Sequence, residues 1–149
     1  MARDHDPRLE LEPGEQVIAT AQASFRGAAA TSVRATFALG SARMRDKAYR
    51  AWLEPLVAVG FPTVPADMIL ALTDRRLLAG NPRFWAWRHT SGYTDEIALD
   101  EIAEVACVRH GMVTGAAFAL RSGAIVEVEA IRSRRLRILV DQLEHRLTH

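Results

Sequence analysis

Cysteine is almost absent from this 149-residue chain, since Cys107 is the only one. A single thiol excludes an internal disulfide and a cysteine metal cluster, and it is typical of a reducing compartment. Long apolar runs are absent too. The longest, residues 56–69, is interrupted by Pro62, Pro65 and Asp67. A membrane-spanning helix needs about 18 consecutive apolar residues, so none is predicted.

An apolar leader and an excess of charge are also missing. Residues 1–7 lack the apolar segment of a signal peptide, so we expect a cytoplasmic protein, with peripheral attachment to the inner membrane face as the alternative. The 19 Lys and Arg residues against 18 Asp and Glu residues leave a net charge of +1. Such a balance gives no global attraction to nucleic acid, and nucleic-acid binding is not expected.

Catalytic motifs are missing as well. The chain has no Gly-x-Ser-x-Gly, no phosphate-binding Gly-x-x-x-x-Gly-Lys-Ser and no His-Glu-x-x-His. Cys107 and His110 lie three residues apart in a strand pattern, so they would point to opposite faces and make a poor catalytic pair. We therefore expect no enzymatic activity, no cofactor and no metal. Cys107 should be a buried small hydrophobic residue that shares a strand face with Ala103 and Val105.

Alternating apolar residues predict strands in both halves of the chain. After the Pro13-Gly14 turn, residues 16–25 form a strand in which Val17, Ala19, Ala21, Ala23 and Phe25 share one face. The other predicted strands are residues 68–73, 76–80, 84–88, 96–99, 102–109, 115–121 and 124–130, and residues 89–94 are predicted to be a loop.

Two amphipathic helices are predicted. The first covers residues 41–59, with Ser41 as its cap and Met44, Ala48, Trp52 and Leu56 as its apolar stripe. Pro55 weakens its last turn. The second begins after Ser133 and buries Leu136, Leu139, Val140, Leu143 and Leu147. Residues 31–39 alternate as a strand would, but their alanines also permit a helix.

The order of signals from Met68 onward resembles a known family. Residues 68–78 (MILALTDRRLL), 96–102 (EIALDEI) and 118–126 (FALRSGAIV) precede the final helix. This order resembles the bacterial pleckstrin-homology-like (PH-like, GRAM-like) domains. The resemblance implies an α+β fold, mainly a small antiparallel β-barrel or bent sheet of about seven strands with a C-terminal helix. Against that family the chain has a helical insertion at about residues 27–66. The chain length predicts a single domain over residues 13–149, and the polar residues 1–12, with Pro7, predict a flexible lead-in.

Members of this family bind lipids, peptides or other subunits, so the resemblance implies a binding or assembly module. We expect a protein partner or a homo-oligomer. The predicted strand 84–88 would place Trp85 and Trp87 on one face, where they close the barrel or contact a partner. The candidate interaction surface is Trp85, Trp87, Arg132, Arg134 and Arg135.

Positive charge at the start of the last helix opposes the helix dipole. Arg132, Arg134, Arg135 and Arg137 all lie there. This arrangement calls for a compensating partner, either the acidic stretch 95–104 or an external anion.

The alternative function is binding to an anionic membrane surface. The candidate anion- or lipid-binding residues in the first helix are Arg43, Arg45, Lys47, Arg50 and Trp52. Cationic residues beside a large aromatic residue on an amphipathic helix are typical of helices that lie on anionic lipid. The sequence leaves open whether this helix packs on the sheet or is free to bind.

Overall fold

The computed structural model describes residues 9–28, 41–61, 64–81, 93–131 and 133–148. These residues form an α+β fold with one antiparallel sheet and a C-terminal helix, as predicted. In chain order the elements are β1 (Val17–Phe25), α1 (Ser41–Ala58), β2 (Asp67–Thr73), β3 (Arg76–Gly80), β4 (Tyr93–Ala98), a 3-10 turn (Leu99–Glu101), β5 (Ile102–His110), β6 (Val113–Leu120), β7 (Ile125–Ile131) and α2 (Arg134–Leu147).

Within the described residues, seven strands follow the order β4-β3-β2-β1-β7-β6-β5, so β4 and β5 are the end strands there and the sheet does not close. β1 pairs with β2 along most of its length, but with β7 only at Ser24↔Glu129 and Phe25↔Val128. The sheet therefore has two parts joined by a short contact. We call β1–β4 the first half-sheet and β5–β7 the second half-sheet.

α2 joins the two half-sheets in one core. Ser133 caps the helix by accepting a hydrogen bond from the Leu136 backbone N–H at 3.1 Å, as predicted. The helix packs against β1, β2, β5 and β6. Its buried residues are Leu136, Leu139, Val140 and Leu143. Burying each such side chain stabilises the fold by about 2 kcal/mol, so α2 is a main source of cohesion between the half-sheets.

α1 is docked on the sheet by its later turns. Leu56 is buried, and Trp52 and Leu53 pack against the same core as α2. Met44, which the predicted stripe also included, is 38% exposed. The helix continues beyond Pro55 to Ala58 and then stops, where Gly60 takes a positive φ of 98° and Phe61 donates a backbone hydrogen bond to Leu56. A glycine in this conformation is a common helix terminator.

The first half-sheet is covered on its second face by the segment that precedes β1. The Leu9 backbone N–H donates a 2.8 Å hydrogen bond to the Tyr93 carbonyl oxygen. Leu9, Leu11 and Val17 pack against the buried residues Ala71, Leu78 and Tyr93. Residues 9–12, the described part of the predicted lead-in, thus lie against the sheet.

Tyr93 and Thr94 correct the predicted loop 89–94, because both belong to β4. Tyr93 is 1% exposed and pairs with Gly80 in the neighbouring strand. This strand start depends on β3 and on Leu9, which are distant in sequence, so local pattern does not reveal it. Residues 84–92 and 31–39 lie outside the described residues.

Two register shifts correct the predicted strand faces. A shift between Val17 and Ala19 puts Val17 in the second cluster, while Ala19 contacts the main core. Another shift lies between Ile102 and Glu104 in β5. An extra residue in one strand reverses the alternation beyond it, and periodicity alone does not locate such a residue.

Cys107 is exposed, so the prediction that it is buried is wrong. Val105, two residues earlier, is the last buried residue of β5 whose side chain is described. β5 ends the sheet, and no other described strand lies beyond it. The residues after Val105 therefore lack the second neighbouring strand that would shield the side chains of a central strand from solvent.

Candidate functional site

β5 offers an open strand edge. Its backbone pairs with β6 on one side, and within the described residues no strand pairs with its other side. Ala106, Cys107 and Val108 are exposed along it. The other end of the sheet differs, because the Leu9–Tyr93 bridge covers the start of β4. An edge strand with unpaired N–H and C=O groups is a template for another polypeptide.

An apolar surface adjoins this edge on the outer face of the second half-sheet. Cross-strand pairs place Ala106 opposite Ala117 and Val108 opposite Gly115. Val108, Met112, Ile125 and Ile131 are four of the eight exposed large hydrophobic side chains among the described residues, so exposed apolar area is concentrated on this half-sheet and its turn. Exposed apolar side chains beside an open strand edge, here Val108 and Met112, are a candidate contact surface.

Gly115 gives that outer face a shallow depression of about 330 Å³. A Cβ atom on this glycine would lie 3.4 Å from the Val108 carbonyl oxygen, which is tight contact. Arg26, Glu127 and Glu129 stand at the rim. Arg26 forms an ion pair with Glu127, and the Gly27 backbone N–H donates to the Glu129 carboxylate. The surface is therefore an apolar floor beside β5, bounded on the β7 side by carboxylates that are already hydrogen-bonded.

The basic residues of α1 divide into two groups. Arg45 is occupied, because its guanidinium binds both carboxylate oxygens of Asp67 at 2.8 and 3.0 Å and lies 5.5 Å from the centre of the Phe25 ring. Arg43, Lys47 and Arg50 are exposed. Their spacing places them on one helix face. Arg50 pairs with Asp46 at 2.9 Å, whereas no ion pair with another described residue involves Arg43 or Lys47.

Trp52 lies between α1 and the sheet. Its indole Nε1–H donates a 2.7 Å hydrogen bond to the carbonyl oxygen of Glu127, and its ring lies 6.1 Å from the Phe25 ring and 6.2 Å from the Tyr49 ring. Both the apolar ring and its polar group are thus used within the fold. The basic helix, whose position the sequence left open, is docked on the sheet.

Only some residues of the predicted interaction surface belong to the described part of the chain. Trp85, Trp87 and Arg132 lie outside the described residues. Arg134 and Arg135 are in the first turn of α2 and exposed. No ion pair or hydrogen bond joins either of them to a described residue of the acidic stretch 95–104. The internal partner considered for the arginines of this helix is therefore not found in the described part of the chain.

Arg76 and Glu15 form a buried ion pair with a structural role. The Arg76 guanidinium donates to both oxygens of Glu15 at 2.8 and 2.9 Å, and the Thr73 hydroxyl donates to Glu15 at 2.6 Å. The Arg76 hydrogen bonds lower the pKa of Glu15 to about 2, against the raising effect of burial. Glu15 in turn raises the pKa of Arg76 above its usual value. The pair joins the segment before β1 to the β2–β3 hairpin.

Metal and membrane signatures are not found in the described residues. No three His, Cys, Asp or Glu side chains among them converge to hold a metal ion. None of their helices is both long and apolar enough to cross a membrane. In comparisons with known proteins, no family model matches the chain and no curated protein matches it significantly.

Proposed function

We propose that the chain is a cytoplasmic PH-like domain that serves as a non-enzymatic binding or assembly module, with another polypeptide or a second copy of itself as partner. The non-enzymatic part of the proposal rests on the missing catalytic motifs. The observation that carries the binding part is the open β5 edge beside the exposed apolar face of the second half-sheet.

The PH-like assignment is supported by the sheet order and the last helix. The resemblance implies about seven antiparallel strands in a partly open barrel with a C-terminal helix. The order β4-β3-β2-β1-β7-β6-β5, the short β1–β7 contact and the packing of α2 against both half-sheets fit that description. A scaffold alone does not define a function, so the binding role rests on the β5 edge and the surface beside it.

A partner polypeptide would use the β5 edge in a simple way. A strand added there would bond to the unpaired backbone groups, while its side chains would reach the apolar residues Ala106 and Val108. Main-chain hydrogen bonds would supply affinity, and the adjoining depression at Gly115 would supply shape selectivity. A second copy of the chain has the same edge. A two-fold dimer with paired β5 strands would therefore pair the open backbone N–H and C=O groups of both copies.

The test is sedimentation velocity with multi-angle light scattering over a wide protein concentration range. We expect a concentration-dependent dimer that Val108→Lys converts to monomer, since a lysine on an edge strand opposes edge pairing. Val57→Lys is the matched control, because Val57 is a similarly exposed valine on α1, and it should dimerise as the wild type does. A strictly monomeric wild type at high concentration would overturn self-association. Equal loss in both variants would overturn the assignment to β5.

A second candidate function is peripheral binding to anionic membranes through α1. The observation that favours it is the exposed stripe of Arg43, Lys47 and Arg50, of which the first two have no ion-pair partner in the described residues. Each surface cation near an anionic membrane contributes about 1 kcal/mol. Because Trp52 is bonded to β7, the contact would be electrostatic and strongly weakened by salt.

Liposome flotation tests this second function. Arg43→Glu/Lys47→Glu should abolish flotation on anionic vesicles at low salt while the melting temperature stays unchanged. Arg135→Glu/Arg146→Glu is the matched control, since it changes the net charge equally on exposed residues of α2. Wild-type protein that stays off anionic vesicles at low salt would exclude the membrane function.

A further inference from the structure

A cavity of about 430 Å³ lies where the β5–β6 turn meets the start of α2. Arg109 of β5 and the α2 residues Arg134 and Arg137 line it, together with the hydroxyl-bearing residues Thr114 and Ser133. Among its described lining residues none carries a carboxylate. The described lining of the cavity therefore carries strong positive charge and hydrogen-bond donors.

The fold explains why these residues meet. Arg109 and Thr114 are directly opposite each other in the β5–β6 pair. Arg134 and Arg137 are three residues apart in α2, so they share a helix face. The N-terminal end of α2 adds the positive pole of the helix dipole to the same place. Sequence patterns do not single out Arg109, because its neighbours in the cavity come from a helix much further along the chain.

The arginines and Thr114 of this cavity have no partner among the described residues. Arg109, Arg134 and Arg137 are exposed, and none forms an ion pair with any residue that the structure describes. The Thr114 side chain is only 4% exposed, yet its hydroxyl makes no hydrogen bond within the described ranges. Buried hydroxyl groups are nearly always hydrogen-bonded. A buried donor without an acceptor among the described residues, beside three cations that have no counter-ion among them, is the arrangement that an anionic ligand would complete.

We propose that this cavity binds the phosphoryl dianion of a small molecule, as a phosphate monoester or pyrophosphate group. Guanidinium groups match the oxygens of phosphate in paired hydrogen bonds, and a dianion neutralises more of the three charges than a single carboxylate does. The Thr114 hydroxyl supplies a further donor for a phosphate oxygen. The cavity volume falls within the range of about 300–1,000 Å³ typical of small-ligand sites. This site shares β5 with the proposed edge contact, because Arg109 lies on that strand, but phosphate binding requires no partner chain and the edge contact requires no phosphate.

Isothermal titration calorimetry with pyrophosphate, in chloride buffer at physiological ionic strength, tests the site. We expect saturable binding with a Kd below about 1 mM. Arg137→Gln should weaken it about tenfold, which is the loss of one charge-assisted hydrogen bond. Arg109→Gln/Arg137→Gln should abolish it. Both side chains are exposed, so unchanged melting temperatures should show that the variants remain folded.

Arg135→Gln is the matched control, since Arg135 lies in the same helical turn but does not line the cavity. It should change the Kd less than about twofold, because physiological salt screens exposed charges over about 8 Å. Thr114→Val keeps the shape of the side chain without its hydroxyl and should also weaken binding, while Thr114→Ser should restore it. If Arg135→Gln weakens pyrophosphate binding as much as Arg137→Gln does, the attraction is non-specific and the site is wrong.

A vesicle arm distinguishes a free phosphorylated compound from a lipid headgroup. Vesicles of phosphatidylcholine with phosphatidic acid are floated with wild-type protein and with Arg109→Gln/Arg137→Gln. We expect the double variant to float as the wild type does, because the ligand is a small soluble molecule. If the wild type floats, the double variant does not, and the wild type fails to bind pyrophosphate, the ligand is a lipid headgroup and the proposal of a soluble ligand is wrong. Absence of pyrophosphate binding by the wild type up to about 10 mM, with no arginine-dependent flotation, would overturn the site altogether.

Discussion

The indole Nε1–H of Trp52 donates a 2.7 Å hydrogen bond to the backbone carbonyl oxygen of Glu127. This contact joins α1 to β7, which lies between β1 and β6 in the sheet. The Trp52 ring also packs with Phe25 and Tyr49. α1 is therefore part of the folded unit, and its basic residues lie on a fixed surface.

Trp52→Ala should destabilise the protein by about 3 kcal/mol, because it removes a large packed ring and a hydrogen bond. Trp52→Phe should lose less, since it keeps most of the ring. Met44→Ala, at the exposed start of the same helix, is the control and should cost less than about 1 kcal/mol. Urea denaturation measures all three. A loss under about 1 kcal/mol for Trp52→Ala would show that α1 is not docked in solution.

Leu139→Ala and Leu143→Ala should each cost about 2–5 kcal/mol, because both leucines are 0% exposed beneath α2. Ile138→Ala on the same helix should cost less than about 1 kcal/mol, since Ile138 is 45% exposed. Chemical denaturation is again the measurement. Similar small losses at all three positions would mean that α2 is peripheral and that the half-sheets do not share its core.

The buried pair Glu15–Arg76 predicts a difference between two carboxylates at neutral pH. Glu15→Gln should cost about 2–3 kcal/mol, because Arg76 loses its buried partner and keeps only the exposed Glu96 as a counter-ion. Glu12→Gln removes the exposed partner of Arg75 and should cost less than about 1 kcal/mol. The free energy of unfolding at pH 7 gives the comparison, and equal costs would contradict a structural role for the buried pair.

The same pair predicts a pH dependence. The pKa of Glu15 in the folded protein, about 2, lies below the usual value of 4.5. The ionised carboxylate therefore stabilises the fold fully above pH 4.5, and this stabilisation is lost as the pH falls toward 2. The stability gap between wild type and Glu15→Gln should therefore narrow by about 2–3 kcal/mol over that range. Denaturation at several pH values measures the gap, and a constant gap would refute the lowered pKa.

Cys107 should react rapidly with a thiol reagent in the native protein, because it is exposed on β5. Labelling kinetics with and without denaturant are the measurement, and we expect similar rates in both. A native rate that is slower by orders of magnitude in dilute monomer would show that β5 is covered. If the rate falls only as protein concentration rises, the fall would support pairing through the β5 edge.

The local sequence determined the individual elements well. Alternation located six of the seven described strands to within a few residues, and the last helix begins where Ser133 predicts. These features depend on neighbours along the chain: side chains two apart share a strand face, and a serine oxygen can bond the amide three residues ahead. The exceptions are informative. The start of β4 at Tyr93 and the register shifts in β1 and β5 are set by partner strands, which periodicity does not include.

The candidate sites depended on the tertiary structure far more than the elements did. The sequence identified the cations of α1 and α2 as charged groups, but it did not decide that Arg45 is bound to Asp67 while Arg43 is exposed. It predicted the burial of Cys107 wrongly, because it does not reveal which strand ends the sheet. The sequence contains Arg109 and Arg137 but does not indicate that they lie close together in the fold. Burial, pairing and convergence are properties of segments that meet in space, so only the folded chain determined which of its charges are satisfied and which are free to bind.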